Sequence, residues 1–323
     1  MEKQTFFEKL IKRRIVSMIL LFILLFVLFA ILSNGLILNP MNIVNILNSM
    51  ALTTFLTTGV AMLMISGDLD LSTGANGTLC GMFLAYALQH GMALVPALII
   101  TLVIGSLIGL LNGALTNGLK MPSFIATLAT SSVATGLVYW IANKKMIDVT
   151  NPFLKSYGKD MLFTYIPLSA LVAFVLMVIA GIALHKSSYG RKIYLVGGNK
   201  QAAMLSGINP KKISYSLFIL CGFFSSVAGI TFVSRMQSAN MQGIIAARFQ
   251  GITAAVLGGI SFGGGSGGMA GAFVGLLVLN TFSNGMTVMG VSPYWQNAAT
   301  GVLLILALTL DFFQSKQSMK VVA

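Results

Sequence analysis

Two carboxylates placed two residues apart are the strongest candidates for chemistry in this sequence. Asp68 and Asp70 lie in the segment GDLDLSTG at 67–74, between two long apolar stretches. The other acidic residues lie near the termini or in longer loops: Glu2, Glu8, Asp148, Asp160 and Asp311. An ionisable group at the edge of an apolar region costs several kcal/mol unless it is paired or hydrated. We expect Asp68 and Asp70 either to belong to a gate or translocation path or to cap the following helix.

Polar side chains within the apolar stretches form a second group of candidates. Ser72, Asn76, Asn280 and Asn284 are predicted to line the gate or translocation path together with the two carboxylates. Further side chains that could contact an uncharged polyol are Asn48, Asn112, Gln237, Asn240, Tyr294, Trp295 and Asn297. Amide groups and aromatic faces bind sugars. The same amides also form hydrogen bonds between membrane helices, so each residue alone has two interpretations.

Side chains that catalyse reactions or bind metal ions are too dispersed to form a recognisable site. His90 and His185 are far apart in the sequence, and Cys80 and Cys221 lie singly in apolar stretches. These spacings match neither a metal-ligand pattern nor a disulfide framework. The glycine-rich stretch 258–268 has no preceding strand and no Lys-Ser/Thr pair after it, so it is not a nucleotide-binding loop. We expect no enzyme activity, no metal site and no cofactor bound by this chain.

The composition indicates that these residues are positioned by membrane helices. Apolar residues make up 56% of the 323 residues and charged residues only 8%, against about 25% charged in soluble domains. We predict an all-α membrane protein with about ten transmembrane helices and possible inverted five-helix halves. The predicted spans are 15–34, 48–66, 72–90, 93–116, 122–142, 163–184, 213–234, 250–262, 267–285 and 295–312.

The net charge of +13 is concentrated at the predicted membrane edges. With both termini in the cytoplasm, the cytoplasmic side carries more than twice as many basic residues as the outer side, as the positive-inside rule requires. We therefore predict a cytoplasmic N-terminal segment 1–14, a transmembrane permease domain 15–312 and a cytoplasmic tail 313–323. The basic residues also favour contact with anionic membrane lipid, and no folded basic face suggests nucleic-acid binding.

The longest internal polar stretch, 185–212, is predicted to be a cytoplasmic coupling loop that contains a short helix. Asn199 can cap this helix, and Gly207 can end it before Pro210. Its apolar side must be covered either by the lipid surface or by a groove on a cytoplasmic partner. The residues predicted to contact that partner are Asn199, Lys200, Gln201, Ala202, Ala203, Met204, Leu205, Ser206 and Gly207.

Four segments in order give the sequence a family resemblance over about 40–312. They are GDLDLSTG (67–74), MPSFIATLAT (121–130), YGRKIYLVGGNKQAAMLSGINPKKI (189–213) and AAVLGGISFGGGSGGMAGAFVGLLVLNTFSNGM (254–286). The chain resembles the permease subunits of ribose-type ABC sugar importers. It departs from them at Arg248, Phe249 and Gln250, where the family usually carries acidic residues at the extracellular entrance.

The resemblance implies a set of partners and a mechanism. The expected partners are a second permease copy in a homodimer or heterodimer, a cytoplasmic ATP-binding subunit that hydrolyses ATP, and a periplasmic or lipid-anchored sugar-binding protein. A pentose or hexose would cross the bacterial inner membrane by alternating access. Two alternatives remain open: an ion-coupled secondary transporter that uses Asp68 and Asp70, and a scaffold that transports nothing.

Overall fold

The computed structural model describes residues 14–322, and side chains from residue 15 to residue 309. This part of the chain is predominantly α-helical. Its helices are α1 (Arg14–Leu32), α2 (Pro40–Ile65), α3 (Thr73–Gln89), α4 (Leu94–Asn117), α5 (Ser123–Ala142), α6 (Pro152–Lys159), α7 (Leu168–Lys186), α8 (Ser188–Gly198), α9 (Lys200–Leu205), α10 (Pro210–Met236), α11 (Ala247–Leu257), α12 (Met269–Val288) and α13 (Pro293–Val322), with a 3-10 helix at Leu36–Leu38.

The predicted segments at the two termini are only partly described. The N-terminal segment 1–14 lies outside the described residues apart from the first residue of α1. Helix α13 continues through most of the predicted tail 313–323, so the boundary at 312 has no counterpart in the backbone.

Four two-residue strands form two small antiparallel pairs beside the helices. Strand β1 (Ile147–Asp148) pairs with β4 (Ser238–Ala239), and β2 (Met161–Leu162) pairs with β3 (Ile166–Pro167). The second pair shows that the predicted span 163–184 begins too early. Its first five residues belong to this hairpin, and the helix α7 begins only at Leu168.

Seven helices among the described residues are long and apolar enough to cross a membrane: α1, α2, α4, α5, α7, α10 and α12. The predicted span 250–262 is also wrong, because the helix in this region is too short to cross the membrane. Helix α11 has 11 residues and a length of about 16 Å, whereas the hydrocarbon core is about 30 Å thick. The glycine-rich connection 258–268 follows it, so this region does not form a complete transmembrane helix.

The long helix α10 lies at the centre of the bundle and packs against α2, α3 and α4. Small residues permit the close approach of α4 to α10. A Cβ atom built on Gly109 would lie 2.1 Å from the Phe218 carbonyl oxygen, and one on Gly105 would lie 2.7 Å from the Gly222 carbonyl oxygen. The stripe of glycines in α4 therefore serves close backbone packing, the usual role of small residues at helical spacing in membrane bundles.

Two helices begin inside the bundle rather than at its edge. An irregular connection, 66–72, leads from α2 into α3, and another, 237–246, leads from α10 into α11. Near the start of α11, the Gly251 carbonyl oxygen accepts a 3.4 Å hydrogen bond from Thr57 Oγ1. Thr57 lies eight residues before the end of α2 at Ile65, which corresponds to about 12 Å along the helix axis.

The packing of α4 on α10 gives a prediction about stability. Replacing Gly109 with Ala should lower the free energy of unfolding by about 1–3 kcal/mol, because the added methyl group overlaps the α10 backbone. The matched control is Gly136→Ala in α5, where a Cβ atom meets nothing within 4 Å. Thermal unfolding in detergent measures both variants, and equal unfolding temperatures would contradict the packing described here.

Candidate transport and coupling sites

The connection 66–72 is held by polar side chains of α5. The backbone N–H of Leu69 donates to Ser123 Oγ, and that of Leu71 donates to Thr127 Oγ1, both at 3.1 Å. Ser123 and Thr127 are one helical turn apart, so a single face of α5 follows the extended connection. The serine and threonine hydroxyls thus provide the hydrogen bonds that a regular helix would have supplied within its own backbone.

Asp70 is fully buried at the start of α3. Its Oδ1 accepts hydrogen bonds from the backbone N–H of Ser72 at 2.7 Å and from Ser72 Oγ at 2.6 Å. The Asn112 amide nitrogen donates to Asp70 Oδ2 at 3.3 Å and to Ser72 Oγ at 2.8 Å, and Thr130 Oγ1 donates to Asn112 Oδ1 at 2.6 Å. We call Asp70, Ser72, Asn112 and Thr130 the Asp70 network.

The Asp70 network bears on the two roles considered for this segment, which are capping of α3 and a gate or translocation path. Ser72 occupies the N-cap position of α3, but its side chain makes no capping hydrogen bond. Asp70 lies in the connection between two helices, and its two carboxylate oxygens accept hydrogen bonds from Ser72 and Asn112. The side chains therefore join α3, α4 and α5, and a role in a gate stays a prediction.

Asp68 has different neighbours from Asp70, although the two are close in sequence. Ser214 Oγ of α10 donates to Asp68 Oδ2 at 2.7 Å, and Lys200 Nζ of α9 lies 3.4 Å from Asp68 Oδ1 in an ion pair. The Asn117 amide nitrogen donates to Ser214 Oγ at 2.9 Å. Asp68 is nearly inaccessible to solvent, whereas Lys200 is half exposed. Asp68 therefore connects the segment before α3 to the predicted coupling helix.

The three other asparagines predicted for the path form hydrogen bonds between helices. The Asn76 amide nitrogen donates to the Gly105 carbonyl oxygen at 3.1 Å, and that of Asn280 donates to Thr53 Oγ1 at 3.3 Å. Asn284 exchanges amide hydrogen bonds of 2.9 and 3.1 Å with Asn42. These hydrogen bonds give each of the three side-chain amides a partner within the same chain. The location of the three asparagines in a translocation path remains a prediction.

The predicted helix in the loop 185–212 is confirmed as α9. Asn199 Oδ1 accepts hydrogen bonds from the backbone N–H groups of Gln201 at 2.9 Å and Ala202 at 3.0 Å. Gly207 follows the helix with φ of 78°, a left-handed conformation that favours glycine, and α10 begins at Pro210. The preceding helix α8 was not predicted. Ser187 Oγ caps it by accepting a hydrogen bond from the Gly190 N–H at 3.0 Å.

The two apolar sides of α9 have opposite environments. Ala203 is 2% exposed and packs against the bundle, whereas Met204 is 55% exposed and Leu205 is 91% exposed. Helix α8 anchors the loop through the buried side chains of Ile193 and Val196. The predicted contact residues thus divide into an inner side that fixes the helix and an outer apolar pair, Met204 and Leu205, that is available to a partner.

A cavity of about 590 Å³ lies between the first turn of α11 and α13. Among the predicted polyol-binding residues, Asn297 lines this cavity. The lining also includes Arg248, Phe249 and Gln250, the positions at which the sequence departs from the permeases that it resembles. Tyr294 and Trp295 are instead highly exposed. Gln242 also lines the cavity and was missed, because nothing in its local sequence distinguishes it from other loop amides.

The apolar helices and the polar groups buried between them define a multi-pass helical membrane protein of the transporter class. The sequence matches the family described as "Branched-chain amino acid transport system / permease component" over residues 42–308. The chain therefore belongs to this family of transport permeases.

Individual relatives specify the resemblance further. The ribose import permease protein RbsC of Bacillus subtilis is 37% identical over 280 residues, 86% of this chain and 87% of that protein. The L-arabinose transport system permease protein AraH of Escherichia coli is 32% identical over 258 residues, 80% of this chain and 78% of that protein. These matches confirm the resemblance to ribose-type ABC importer permeases and a multi-pass location in the inner membrane.

Similarity to solved structures is weaker. The structure "PsaBC from Streptococcus pneumoniae in complex with Fab" aligns with a TM-score of 0.44 and 18% identity, covering 84% of this chain and 89% of that chain. This similarity is too low to transfer any structural feature.

The Asp70 network predicts a reciprocal effect of two substitutions. Asp70→Asn should place its amide nitrogen against the Asn112 amide nitrogen, which cannot rotate without losing the Thr130 hydrogen bond. A buried polar group left without its partner costs about 1–3 kcal/mol. Asn112→Asp should also lower the unfolding temperature, since it brings two carboxylates together.

The double variant, Asp70→Asn with Asn112→Asp, exchanges acceptor and donor and should recover part of the lost stability. Thermal unfolding of the four proteins gives the interaction energy by a double-mutant cycle. Strictly additive losses would show that the two side chains do not interact as described.

Proposed function

We propose that this chain is the membrane-spanning permease subunit of an ATP-binding-cassette importer that carries a small sugar into the cell. The observation that carries the proposal is the match to ribose and L-arabinose permeases over four fifths or more of this chain. A pentose of this kind is the first substrate to test. The chain itself binds no cofactor in this proposal, and ATP is hydrolysed by the partner subunit.

The proposed partner at the end that carries α9 is the ATP-binding subunit. Leu205 and Met204 form an exposed apolar pair on a short helix whose other side is fixed to the bundle. An apolar helix side that fits a groove on another protein is a common mode of recognition. A second permease copy and an extracellular sugar-binding protein complete the assembly proposed here.

Two inverted five-helix halves with cytoplasmic termini remain part of this proposal, in which α11 is a segment that ends within the membrane. One structural feature supports the inverted halves. The pair α2–α3 and the pair α10–α11 each consist of a long helix, an irregular connection and a helix that begins inside the bundle. Discontinuous helices at related positions of two halves are typical of transporters with inverted repeats. The distribution of basic residues supports the orientation.

The ion pair between Lys200 and Asp68 suggests how movement of α9 reaches the interior. Lys200 is the first residue of α9, and Asp68 belongs to the connection whose backbone is bound to α5. A displacement of α9 by the ATP-binding subunit would thus act on the connection 66–72 and on α10 through Ser214. Alternating access then moves α3 and α5 relative to the rest of the bundle.

The ion-coupled alternative is not favoured. Asp68 is already paired with a lysine, and both carboxylate oxygens of Asp70 accept hydrogen bonds from Ser72 and Asn112. A coupling-ion site needs oxygen ligands that are free to face the ion. Both carboxylates instead serve contacts within the protein.

The exposed apolar pair yields the experiment that tests this assembly. The tagged permease, purified from native membranes in mild detergent, should carry a tandem ATP-binding protein that mass spectrometry identifies. Leu205→Glu should reduce the recovered ATP-binding protein about tenfold or more, because it places a charge in the proposed docking groove. The permease itself should remain folded, since Leu205 is 91% exposed.

The matched control is Met146→Glu. Met146 is 61% exposed and follows α5 at the end of the bundle opposite to α9. This variant should retain the ATP-binding protein. Equal recovery from the Leu205→Glu and wild-type proteins would rule out α9 as the docking helix, and a permease that co-purifies with no ATPase would contradict the importer assignment.

A further inference from the structure

An apolar groove of about 570 Å³ lies between α7 and α12, beside the start of α1. Phe174, Val178 and Ile182 form one wall, and they are exposed side chains about one helical turn apart on α7. Phe273 and Val274 of α12 contribute to the opposite wall. Exposed apolar surface of this kind marks contact with a membrane or with another protein, so the groove needs an occupant.

The groove has about the length of one membrane leaflet. Lys186, the last residue of α7, lies twelve residues after Phe174, which corresponds to about 18 Å along the helix axis. Half of the hydrocarbon core is about 15 Å thick. The Phe174 and Phe273 rings meet at the deep end, with centroids 5.3 Å apart. The other end opens where α7 ends and the loop 185–212 begins, so a single acyl chain fits the length of the groove.

Positive charge is concentrated at the open end of the groove. His185 and Lys186 line it there, and both are exposed. Among the described residues, no carboxylate lines the groove or pairs with Lys186. The start of α12 lies at the same end, because a Cβ atom built on its N-cap residue Gly268 would be 2.8 Å from His185 Nε2. The N–H groups of a helix start carry partial positive charge, so this end attracts an anion.

An apolar groove with a basic end is complementary to an anionic phospholipid. Basic pockets between membrane helices bind anionic lipid head groups. A zwitterionic head group also offers a phosphate, but Lys186 repels its ammonium group, so its net attraction is weaker. A second copy of this chain is a poorer match, since the carboxylates within its apolar region, Asp68 and Asp70, are buried and accept hydrogen bonds within the chain.

We propose that this groove is a binding site for an anionic phospholipid of the leaflet on the side of the loop 185–212. One acyl chain lies along Phe174, Val178 and Ile182, and the phosphate group lies beside Lys186 and His185. The bound lipid joins α7 and α12 next to the loop that leads to α9. The proposal goes beyond the proposed function and makes no assumption about the cargo.

A second apolar groove, of about 410 Å³ between α4 and α10, provides a matched control. Among the described residues, no charged side chain lines it. Phe223 lines this control groove and lies thirteen residues after Pro210, the first residue of α10. That distance corresponds to about 20 Å, so Phe223 and Phe174 lie at similar depths below the ends of their helices.

The test uses quenching of tryptophan fluorescence by brominated lipids. The native Trp140 and Trp295, both exposed, are replaced by Phe, and a single tryptophan is introduced by Phe174→Trp or by Phe223→Trp. The purified full-length chain is reconstituted into vesicles of phosphatidylcholine mixed with brominated phosphatidylglycerol or with brominated phosphatidylcholine. The quenching curves give the binding constant of phosphatidylglycerol relative to phosphatidylcholine at each tryptophan.

Phosphatidylglycerol should be preferred about fivefold or more at Phe174→Trp, the effect expected for one lysine near an anionic head group. The preference at Phe223→Trp should be close to one. Adding Lys186→Gln should remove most of the preference at Phe174→Trp. The control for this substitution is Lys212→Gln, because Lys212 is exposed at the start of α10 and lines neither groove. It should leave the preference unchanged.

Three outcomes would overturn the proposal. An equal preference in both grooves would show only a general attraction of the basic membrane edge for anionic lipid. A preference that survives Lys186→Gln would remove the proposed phosphate contact. Absence of quenching by either lipid at Phe174→Trp, with normal quenching at Phe223→Trp, would show that protein rather than lipid covers the groove.

Discussion

The irregular connection 66–72 imposes the constraint on which the rest of the structure depends. Its backbone leaves regular helical geometry within an apolar bundle, where unsatisfied N–H and C=O groups are costly. The protein meets this requirement with side chains from several helices: Ser123 and Thr127 bind the backbone, and the Asp70 network holds the start of α3. The positions of α4, α5 and α10 around this connection follow from these hydrogen bonds. The same contacts place Asp68 beside Ser214 and Lys200, so the buried interior and the loop 185–212 meet at one carboxylate.

Close packing of backbones makes this arrangement possible. Membrane helices gain little from burying apolar surface against each other, so their association depends on contact and hydrogen bonds. Glycines in α4 bring it against α10, which lets Asn112 reach Asp70 from one turn beyond Gly109. The start of α11 lies beside α3, because the Ile244 N–H donates to Thr78 Oγ1 at 3.0 Å.

Local signals predicted part of this structure, and contacts distant in sequence account for the rest. Asn199, Gly207 and Pro210 mark the ends of α9 through cap and turn preferences that act within a few residues, so this helix was predictable. The pairing of Lys200 with Asp68 was not, because the two residues are 132 positions apart. Helix α8 was missed because its apolar residues Ile193 and Val196 become a buried face only when the loop folds onto the bundle. Hydropathy also could not show that α11 stops short, since a helix that ends in the membrane is as apolar as one that crosses it.

In the mechanism proposed here, ATP hydrolysis in a partner subunit drives sugar import through this chain. The most direct measurement is uptake of radiolabelled ribose and L-arabinose by proteoliposomes that contain the purified complex and its binding protein. Uptake is compared with and without ATP at the nucleotide-binding side, and with ion gradients intact or collapsed by ionophores. We expect uptake to require ATP and to persist after the gradients are collapsed. Uptake that continues without ATP and stops when a proton or sodium gradient is removed would contradict this mechanism.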